Sequence, residues 1–177
     1  MPTRDELHAA IAREQALIAR LEREREEAQA RVRSLHAVHH EAPWTAWPDL
    51  LRDRDADALD QARDRLSSRV LFHQYLQWTA DRQWLAARQA AHAHGVSLLG
   101  DLPFMVDTDS ADVWARRQDF DLDVSVGVPP DGFSATGQDW GMPLYRWDVV
   151  AASDFTWLRQ RAARTASLFD GYRIDHL

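Results

Sequence analysis

Apolar residues recur at helical spacing through the first half of the chain. Between residues 3 and 40 they form one stripe, made of Leu7, Ala10, Ile11, Leu17, Ile18, Leu21, Ala28, Val32 and Leu35. Thr3 and Glu6 have the spacing of a capping box, so the pattern predicts a long helix that begins near residue 3. Such a helix is typical of a short coiled coil or of one arm of a helical hairpin.

A second helical segment is predicted from about residue 56 to residue 94. Pro43 and Pro48 interrupt the first pattern, and Asp55 or Asp57 can cap the helix that follows. Its apolar positions occupy more than one face, which predicts burial on two sides, and Gly95 supplies the C-terminal stop.

The periodicity changes after Gly95. The apolar run "VSLLG" predicts a buried strand at about 96–99 that ends at Asp101, and a long turn-rich stretch covers 105–150. Ser153 is predicted to cap a helix that runs to about 168, with an inner face made of Phe155, Leu158 and Ala162. The final strand is "GYRID". Strand, long connection, helix and strand form a βαβ unit, which favours the α/β class with a parallel sheet or barrel.

Composition and charge exclude several classes of function. The 177 residues carry a net charge of −7, so we expect no nucleic acid and no anionic membrane as partner. Cysteine is absent, which rules out disulfides and thiolate metal sites. No apolar run approaches the roughly 20 residues that span a bilayer, and "MPTRDELH" lacks the apolar core of a signal peptide. A soluble, cytoplasmic protein is predicted.

Two carboxylates and an arginine fall at the predicted strand ends. Asp101 and Asp175 lie at the carboxyl ends of the two strands, the edge where active-site residues gather in barrels and open α/β sheets. Arg173 is two residues before Asp175, hence on the same face, and its charge would lower the pKa of that carboxyl. An ionised carboxylate in this position could act as a nucleophile, and a nucleophile in a reaction such as glycosyl transfer must be ionised. A structural ion pair, a helix cap or a turn would explain the same residues.

The stretch 127–145 combines aromatic and polar side chains. Phe133 and Trp140 offer flat apolar surfaces, while Asp131 and Gln138 can hydrogen-bond to hydroxyl groups. This composition is typical of sugar sites, although buried loop anchors look the same in sequence.

Histidines provide a weaker signal. His36 and His40 have the i, i+4 spacing of helical metal ligands, but no third ligand lies at a convincing distance, so no metal site is expected. His176 follows Asp175 and is a candidate for contact with substrate or for orienting the strand end.

Together, several segments resemble the amylomaltase family, the 4-α-glucanotransferases or disproportionating enzymes of glycoside hydrolase family 77. The matching segments are "WTAWPDLLR", "FHQYLQWTADRQW", "GDLPFMVDTDSADVW", "GVPPDGFSATGQDWGMPLYRWD" and "YRIDH". In order and spacing they cover roughly residues 40–177.

The resemblance implies a partial TIM (β/α)8 barrel with a long helical insertion, mostly helical in this chain. Residues 1–94 would form the helical insertion subdomain and residues 95–177 the barrel segment. The family transfers α-1,4-glucan units between maltooligosaccharides by a retaining mechanism that needs neither a metal nor an organic cofactor. By motif, Asp175 would be the nucleophile and Arg173 its charged neighbour. Side chains expected to bind substrate are those of Asp101, Asp131, Phe133, Gln138, Trp140 and His176.

The same resemblance predicts that part of the machinery lies outside this chain. A retaining mechanism needs a second carboxyl group as general acid, and the family's glutamate lies downstream of "RIDH". We therefore expect the chain to be an internal segment that is inactive in isolation. Gly132 stands where the family often has tyrosine, so a stacking surface of those members is absent at this position. Two alternatives stay open: a helical interaction module at residues 1–94, and a maltooligosaccharide-binding remnant without turnover. Oligomeric state is not determined by the sequence.

Overall fold

The computed structural model describes residues 26–174. The predicted cap at Thr3 and Glu6 and the stripe before residue 26 lie outside this range, as do Asp175 and His176. Residues 26–38 are helical (α1), in agreement with the predicted first helix.

The elements after α1 are mainly helices. The helices are α2 (Asp49–Arg52), α3 (Ala56–Arg65), α4 (Ser67–Ala93), α5 (Ala111–Ala115), α6 (Trp147–Ala152) and α7 (Thr156–Leu168). Two 3-10 turns lie at Trp44–Ala46 and Arg117–Asp119. The strands are β1 (Leu99–Leu102), β2 (Phe120–Val128), β3 (Gln138–Tyr145) and β4 (Gly171–Ile174).

Both ends of the predicted second helix carry the expected signals. The Asp55 side chain accepts a hydrogen bond from the Ala58 N–H at 2.9 Å, so Asp55 is the cap. At the other end Gly95 has a φ of +72°, and the N–H of Val96 bonds back to the Ala91 carbonyl at 3.0 Å. The prediction of one continuous helix was wrong, because the chain breaks at Leu66 between α3 and α4.

Helix α4 is far less buried than its apolar pattern predicts. Only Val70 is fully buried among its residues. Its outward face exposes large apolar side chains, namely Leu71, Phe72, Tyr75, Leu76, Trp78 and Leu85. Burial on two sides is therefore wrong for this helix within residues 26–174.

The predicted βαβ unit is present. Strands β1 and β4 pair in parallel, with Leu99 opposite Gly171 and Asp101 opposite Arg173. Strand β1 is three residues later than the predicted 96–99 and includes Asp101 as its third residue. Helix α7 connects back to β4 and packs on β1.

The stretch 105–150 is more regular than the sequence predicts. It contains α5, α6 and an antiparallel hairpin of β2 and β3, whose register shifts twice. Gly127 and Gly137 allow the two strands to approach closely: a Cβ on Gly127 would lie 2.2 Å from the Gln138 carbonyl oxygen. Turn-forming residues mark only the tip of this hairpin, so composition hides the strands beside it.

The start of α7 also differs from the prediction. Ser153 ends α6, and its hydroxyl donates to the Val150 carbonyl at 2.8 Å. Helix α7 begins after Phe155, which adopts a left-handed conformation with φ of 52° and is exposed. Its buried residues are Trp157, Arg161 and Thr165 rather than Phe155 and Ala162, and Leu158 packs against the core as expected.

One hydrophobic core joins the two halves of the chain. Its tryptophans are Trp44, Trp47, Trp114 and Trp157, and its other buried members are Val32, Leu35, Leu51, Ala62, Val106, Val113, Phe120, Tyr145 and Val150. The core therefore contains residues from both sides of the predicted boundary at 94/95; the division into two domains stays a prediction. No helix within residues 26–174 is long and apolar enough to cross a membrane.

Candidate functional site

An ion pair lies across the parallel strands at their carboxyl ends. Arg173 donates from Nε to Asp101 Oδ1 at 3.0 Å and from Nη2 to Oδ2 at 3.1 Å. The two residues are opposite each other in register, so one face of the sheet presents both side chains. Both are more than half exposed. The sequence does not predict this contact between Arg173 and Asp101. The predicted pairing of Arg173 with Asp175 lies outside the described residues and stays a prediction.

The bidentate contact controls the charge of Asp101. Hydrogen bonds from the Arg173 guanidinium lower the pKa of the Asp101 carboxyl, and the charge of Arg173 acts in the same direction. Asp101 therefore stays ionised to a lower pH than an isolated aspartate. Because the pair is exposed to solvent, we expect it to add little to stability; its effect is on charge and orientation.

We expect Arg173→Gln to raise the pKa of Asp101 toward its ordinary value. The folded pKa is lowered, so the small stabilisation from the pair is present above the unfolded pKa and is lost as the pH falls through the folded one. Carboxyl 13C NMR across an acid titration measures this. Arg159→Gln is the matched control, because it removes an arginine of α7 that pairs with Asp154 instead of Asp101. An unchanged Asp101 titration in Arg173→Gln would contradict the pairing.

Asp131 forms the turn at the tip of the hairpin. Its Oδ1 accepts hydrogen bonds from the backbone N–H groups of Phe133 and Ser134, both at 2.8 Å. This is the turn-forming role of aspartate. It leaves the ring of Phe133 98% exposed. A large exposed aromatic ring on this hydrogen-bonded turn is available for stacking.

Gln138 and Trp140 are two residues apart on β3, and their side chains contact each other. The Trp140 indole N–H donates to the Gln138 Oε1 at 3.1 Å. Strand alternation places both on one face of the hairpin. The pair combines an aromatic surface with an amide group, which is the combination that the sequence predicts for a sugar site.

The base of the hairpin is tied to the loop after β1. The Thr108 hydroxyl donates to the Gly141 carbonyl, and the Trp44 indole N–H donates to the Thr108 carbonyl, each at 2.8 Å. Tyr145 donates its hydroxyl hydrogen to the Phe104 carbonyl, and burial raises its pKa to about 12. These contacts place the hairpin relative to the segment that follows Asp101.

The histidines near residue 36 pack on an aromatic ring. His36 and His39 contact the Trp47 ring at 5.0 and 5.8 Å between centroids. Within residues 26–174 no group of three or more histidine and acidic side chains has the arrangement of a metal site.

Sequence reasoning missed several residues that hold the site. Asp170 contacts Arg88, His92 and the backbone of Leu98. Arg161, 8% exposed, donates to the Pro103 carbonyl directly after β1. The i, i+4 spacing of Arg88 and His92 was a visible signal, but their common partner is distant in sequence. The roles of Asp175 and His176 lie outside the described residues and stay predictions.

Comparisons with known proteins agree on one family. The sequence profile described as 4-alpha-glucanotransferase matches residues 8–177. The chain is 44% identical over 149 residues to the 4-alpha-glucanotransferase of Thermus thermophilus, which covers 81% of this chain and 30% of the relative. It is 40% identical over 150 residues to that of Synechocystis sp., again covering 81% of this chain and 30% of the relative.

A solved structure gives the same result. An amylomaltase from Streptococcus agalactiae in complex with acarbose aligns with a TM-score of 0.82 and 30% sequence identity. The alignment covers 93% of this chain and 35% of that protein. The chain thus spans about a third of the length of the proteins that it matches.

Proposed function

Because the chain belongs to the 4-alpha-glucanotransferase family, glycoside hydrolase family 77, we propose that it supplies the nucleophile-bearing part of a 4-alpha-glucanotransferase. The family match and the structural alignment confirm the fold class, a partial (β/α)8 barrel with a helical insertion. The reaction proposed is the transfer of α-1,4-glucan units between maltooligosaccharides. The observation that carries the proposal is the in-register pair of Asp101 and Arg173 at the carboxyl ends of parallel strands.

The proposed chemistry proceeds in two steps. An oxygen of the Asp175 carboxylate attacks the anomeric carbon of the donor, and the bond from that carbon to the leaving 4-oxygen breaks. A second carboxyl group protonates the leaving oxygen, and we expect this group downstream of the matched "RIDH" segment. The 4-hydroxyl of the acceptor then attacks the same carbon, gives its proton to that group and releases Asp175. Atoms and charges balance without a metal or organic cofactor.

Charge at the strand ends supports this assignment. Arg173 is two residues before Asp175 and is fixed by Asp101, so a guanidinium is held close to where the strand ends. A nearby positive charge favours the ionised form of a carboxylate. Asp101 is also our candidate for contact with the donor sugar. Its exposure leaves its carboxylate oxygens accessible.

The hairpin is the proposed glycan platform. Phe133 and Trp140 provide stacking surfaces and Gln138 an amide for sugar hydroxyls. The acarbose complex of the amylomaltase neighbour supports an oligosaccharide as ligand. Covering the glycan would exclude water, which lets transfer compete with hydrolysis. A cytoplasmic location and the contribution of His176 stay predictions.

A graft tests the proposal. This chain replaces the segment that it matches in the Thermus thermophilus relative, and the product is incubated with maltotriose. We expect a ladder of longer and shorter maltooligosaccharides. In the same graft Trp140→Ala should raise KM about tenfold, because losing an aromatic platform removes about 1.5 kcal/mol of binding. Trp78→Ala, which removes a tryptophan of α4 outside the hairpin, is the matched control.

The outcomes separate the candidate functions. A folded graft that makes no ladder but binds maltoheptaose would favour the glycan-binding remnant. A folded graft that neither binds nor transfers would overturn the proposal. If Trp140→Ala and Trp78→Ala have equal KM values, the hairpin is not the platform.

A further inference from the structure

One carboxylate lies between helix α4 and the starts of both parallel strands. Asp170 accepts hydrogen bonds from the Leu98 N–H at 2.8 Å and from Arg88 Nη2 at 2.5 Å, and it contacts His92 Nε2 at 2.8 Å. The Asp170 N–H also donates to the Leu98 carbonyl at 2.9 Å. Asp170 therefore bonds to both the backbone N–H and the backbone carbonyl of Leu98, immediately before β1 begins.

Helix α4 holds the rest of the turn before β4. Arg88 Nη1 donates to the Ser167 carbonyl at 2.8 Å, and the Trp84 indole N–H donates to the Leu168 carbonyl at 2.9 Å. The Trp84 ring meets Phe169 edge to face at 5.2 Å. These contacts fix the C-terminal end of helix α7 against helix α4.

The contact at Leu98 and Asp170 determines which residues pair further along. The next residues in register are Leu99 and Gly171, and two positions later Asp101 is opposite Arg173. A slip of one residue would turn one of these side chains to the opposite face of the sheet. The register set at the amino ends of the strands thus determines which side chains lie opposite each other at the carboxyl ends.

Close packing beside the cluster restricts alternative registers. A Cβ on Gly100 would lie 2.4 Å from Cδ2 of Phe169, so glycine is needed where the Phe169 ring crosses β1. The Asp170 and Arg88 side chains are only 22% and 21% exposed. Their contacts are therefore sheltered more than an ordinary surface pair.

We propose that Asp170 is a positioning residue for the transfer reaction: it sets the β1–β4 register, so that Asp101 meets Arg173 and the strand delivers Asp175 in step with them. This inference rests on the proposed function. Asp170 acts from the amino end of the strands and does not need to touch substrate.

The charge of Asp170 suits this role. The Leu98 N–H, followed by Arg88 and His92, keeps the pKa of Asp170 well below its ordinary value. Asp170 stays ionised through the neutral range and holds its three partners there. An asparagine can accept the Leu98 hydrogen bond but cannot balance the charge of Arg88.

The test begins with NMR on the full chain. In Asp170→Asn we expect the pKa of Asp101 to rise toward its ordinary value and the Arg173 Nε–H to exchange with water at least about tenfold faster. Asp81→Asn is the matched control: Asp81 ties α4 to Arg164 of α7 without touching either strand. It should leave both signals unchanged. Circular dichroism establishes that each variant is folded.

Arg88→Gln keeps the test decisive if Asp170→Asn does not fold. It removes the charged donor and keeps the Leu98 contact. The pKa of Asp101 and the exchange rate of the Arg173 Nε–H should therefore both rise, but by less than in Asp170→Asn. Unchanged Asp101 and Arg173 signals in a folded variant would overturn the proposal.

A kinetic comparison in the graft separates this inference from the proposed function. Asp170→Asn should lower kcat about a hundredfold, the typical cost of a displacement of about 1 Å, with KM within about twofold. Moved NMR signals with unchanged kcat would overturn the positioning role. If the unsubstituted graft shows no transfer at all, the proposed function fails, while the NMR result still decides whether Asp170 sets the register.

Discussion

Asp175→Asn in the graft is expected to lower the rate of glucan transfer on the order of 10⁶-fold, the cost of removing an enzymatic nucleophile. Asparagine has nearly the same shape as aspartate, but its amide does not form the glycosyl ester of a retaining mechanism. Production of a maltooligosaccharide ladder from maltotriose measures the rate. Mass spectrometry of the graft during turnover should show a glycosyl adduct on the Asp175 peptide, and this adduct should be absent from the variant.

Asp64→Asn is the matched control for this prediction. Asp64 is exposed on α3, so the same chemical change occurs there on a carboxylate outside both the hairpin and the strand ends. Its transfer rate should stay within about twofold of the parent graft. A folded Asp175→Asn graft with the parent rate would remove the nucleophile assignment, and the family motifs would then reflect ancestry alone.

Trp114→Ala is expected to cost about 3–5 kcal/mol of unfolding free energy, the usual range for truncating a buried aromatic residue. Trp114 is 5% exposed, meets the Trp47 ring edge to face at 5.7 Å, and donates its indole N–H to the Leu51 carbonyl at 3.2 Å. It thereby joins α5 to the segments around α2. Urea unfolding of the full chain measures the loss, and the melting temperature should fall by about 6–20 °C.

Trp78→Ala separates burial from residue type. Trp78 is 55% exposed, with Tyr75 and Arg82 beside it, so its loss should cost less than about 1 kcal/mol. The loss of unfolding free energy for Trp114→Phe should lie between those for Trp114→Ala and Trp78→Ala, because phenylalanine keeps an aromatic ring but cannot make the hydrogen bond. Equal losses for Trp114→Ala and Trp78→Ala would show that the shared core is not the main source of stability.

Local signals were sufficient for the parts of the fold that short-range interactions decide. Asp55 and Gly95 mark helix ends through contacts with residues only a few positions away, and both were predicted. Ser153 gave the same kind of signal and misled, because its hydroxyl bonds backward to Val150 and ends a helix instead of starting one. The presence of a capping residue in the sequence does not show whether it begins a helix or ends one.

The hairpin and α4 show where pattern reasoning failed. Strands β2 and β3 stabilise each other through cross-strand hydrogen bonds, which a scan of either segment alone does not contain. The apolar residues of α4 predict burial, but burial depends on what packs against each face. Within residues 26–174, one face of α4 contacts the turn before β4 and the other remains exposed.

The sequence by itself determined the family, through five matching segments in order over residues 40–177. It also determined the position of Asp101 on the first parallel strand and of Arg173 on the last, because strand patterns depend on residue identity and short spacing. Tertiary structure alone decided that Arg173 pairs with Asp101 and that Asp170 joins α4 to both strands. The partners in these contacts are more than 70 residues apart, and only folding brings such groups to hydrogen-bonding distance.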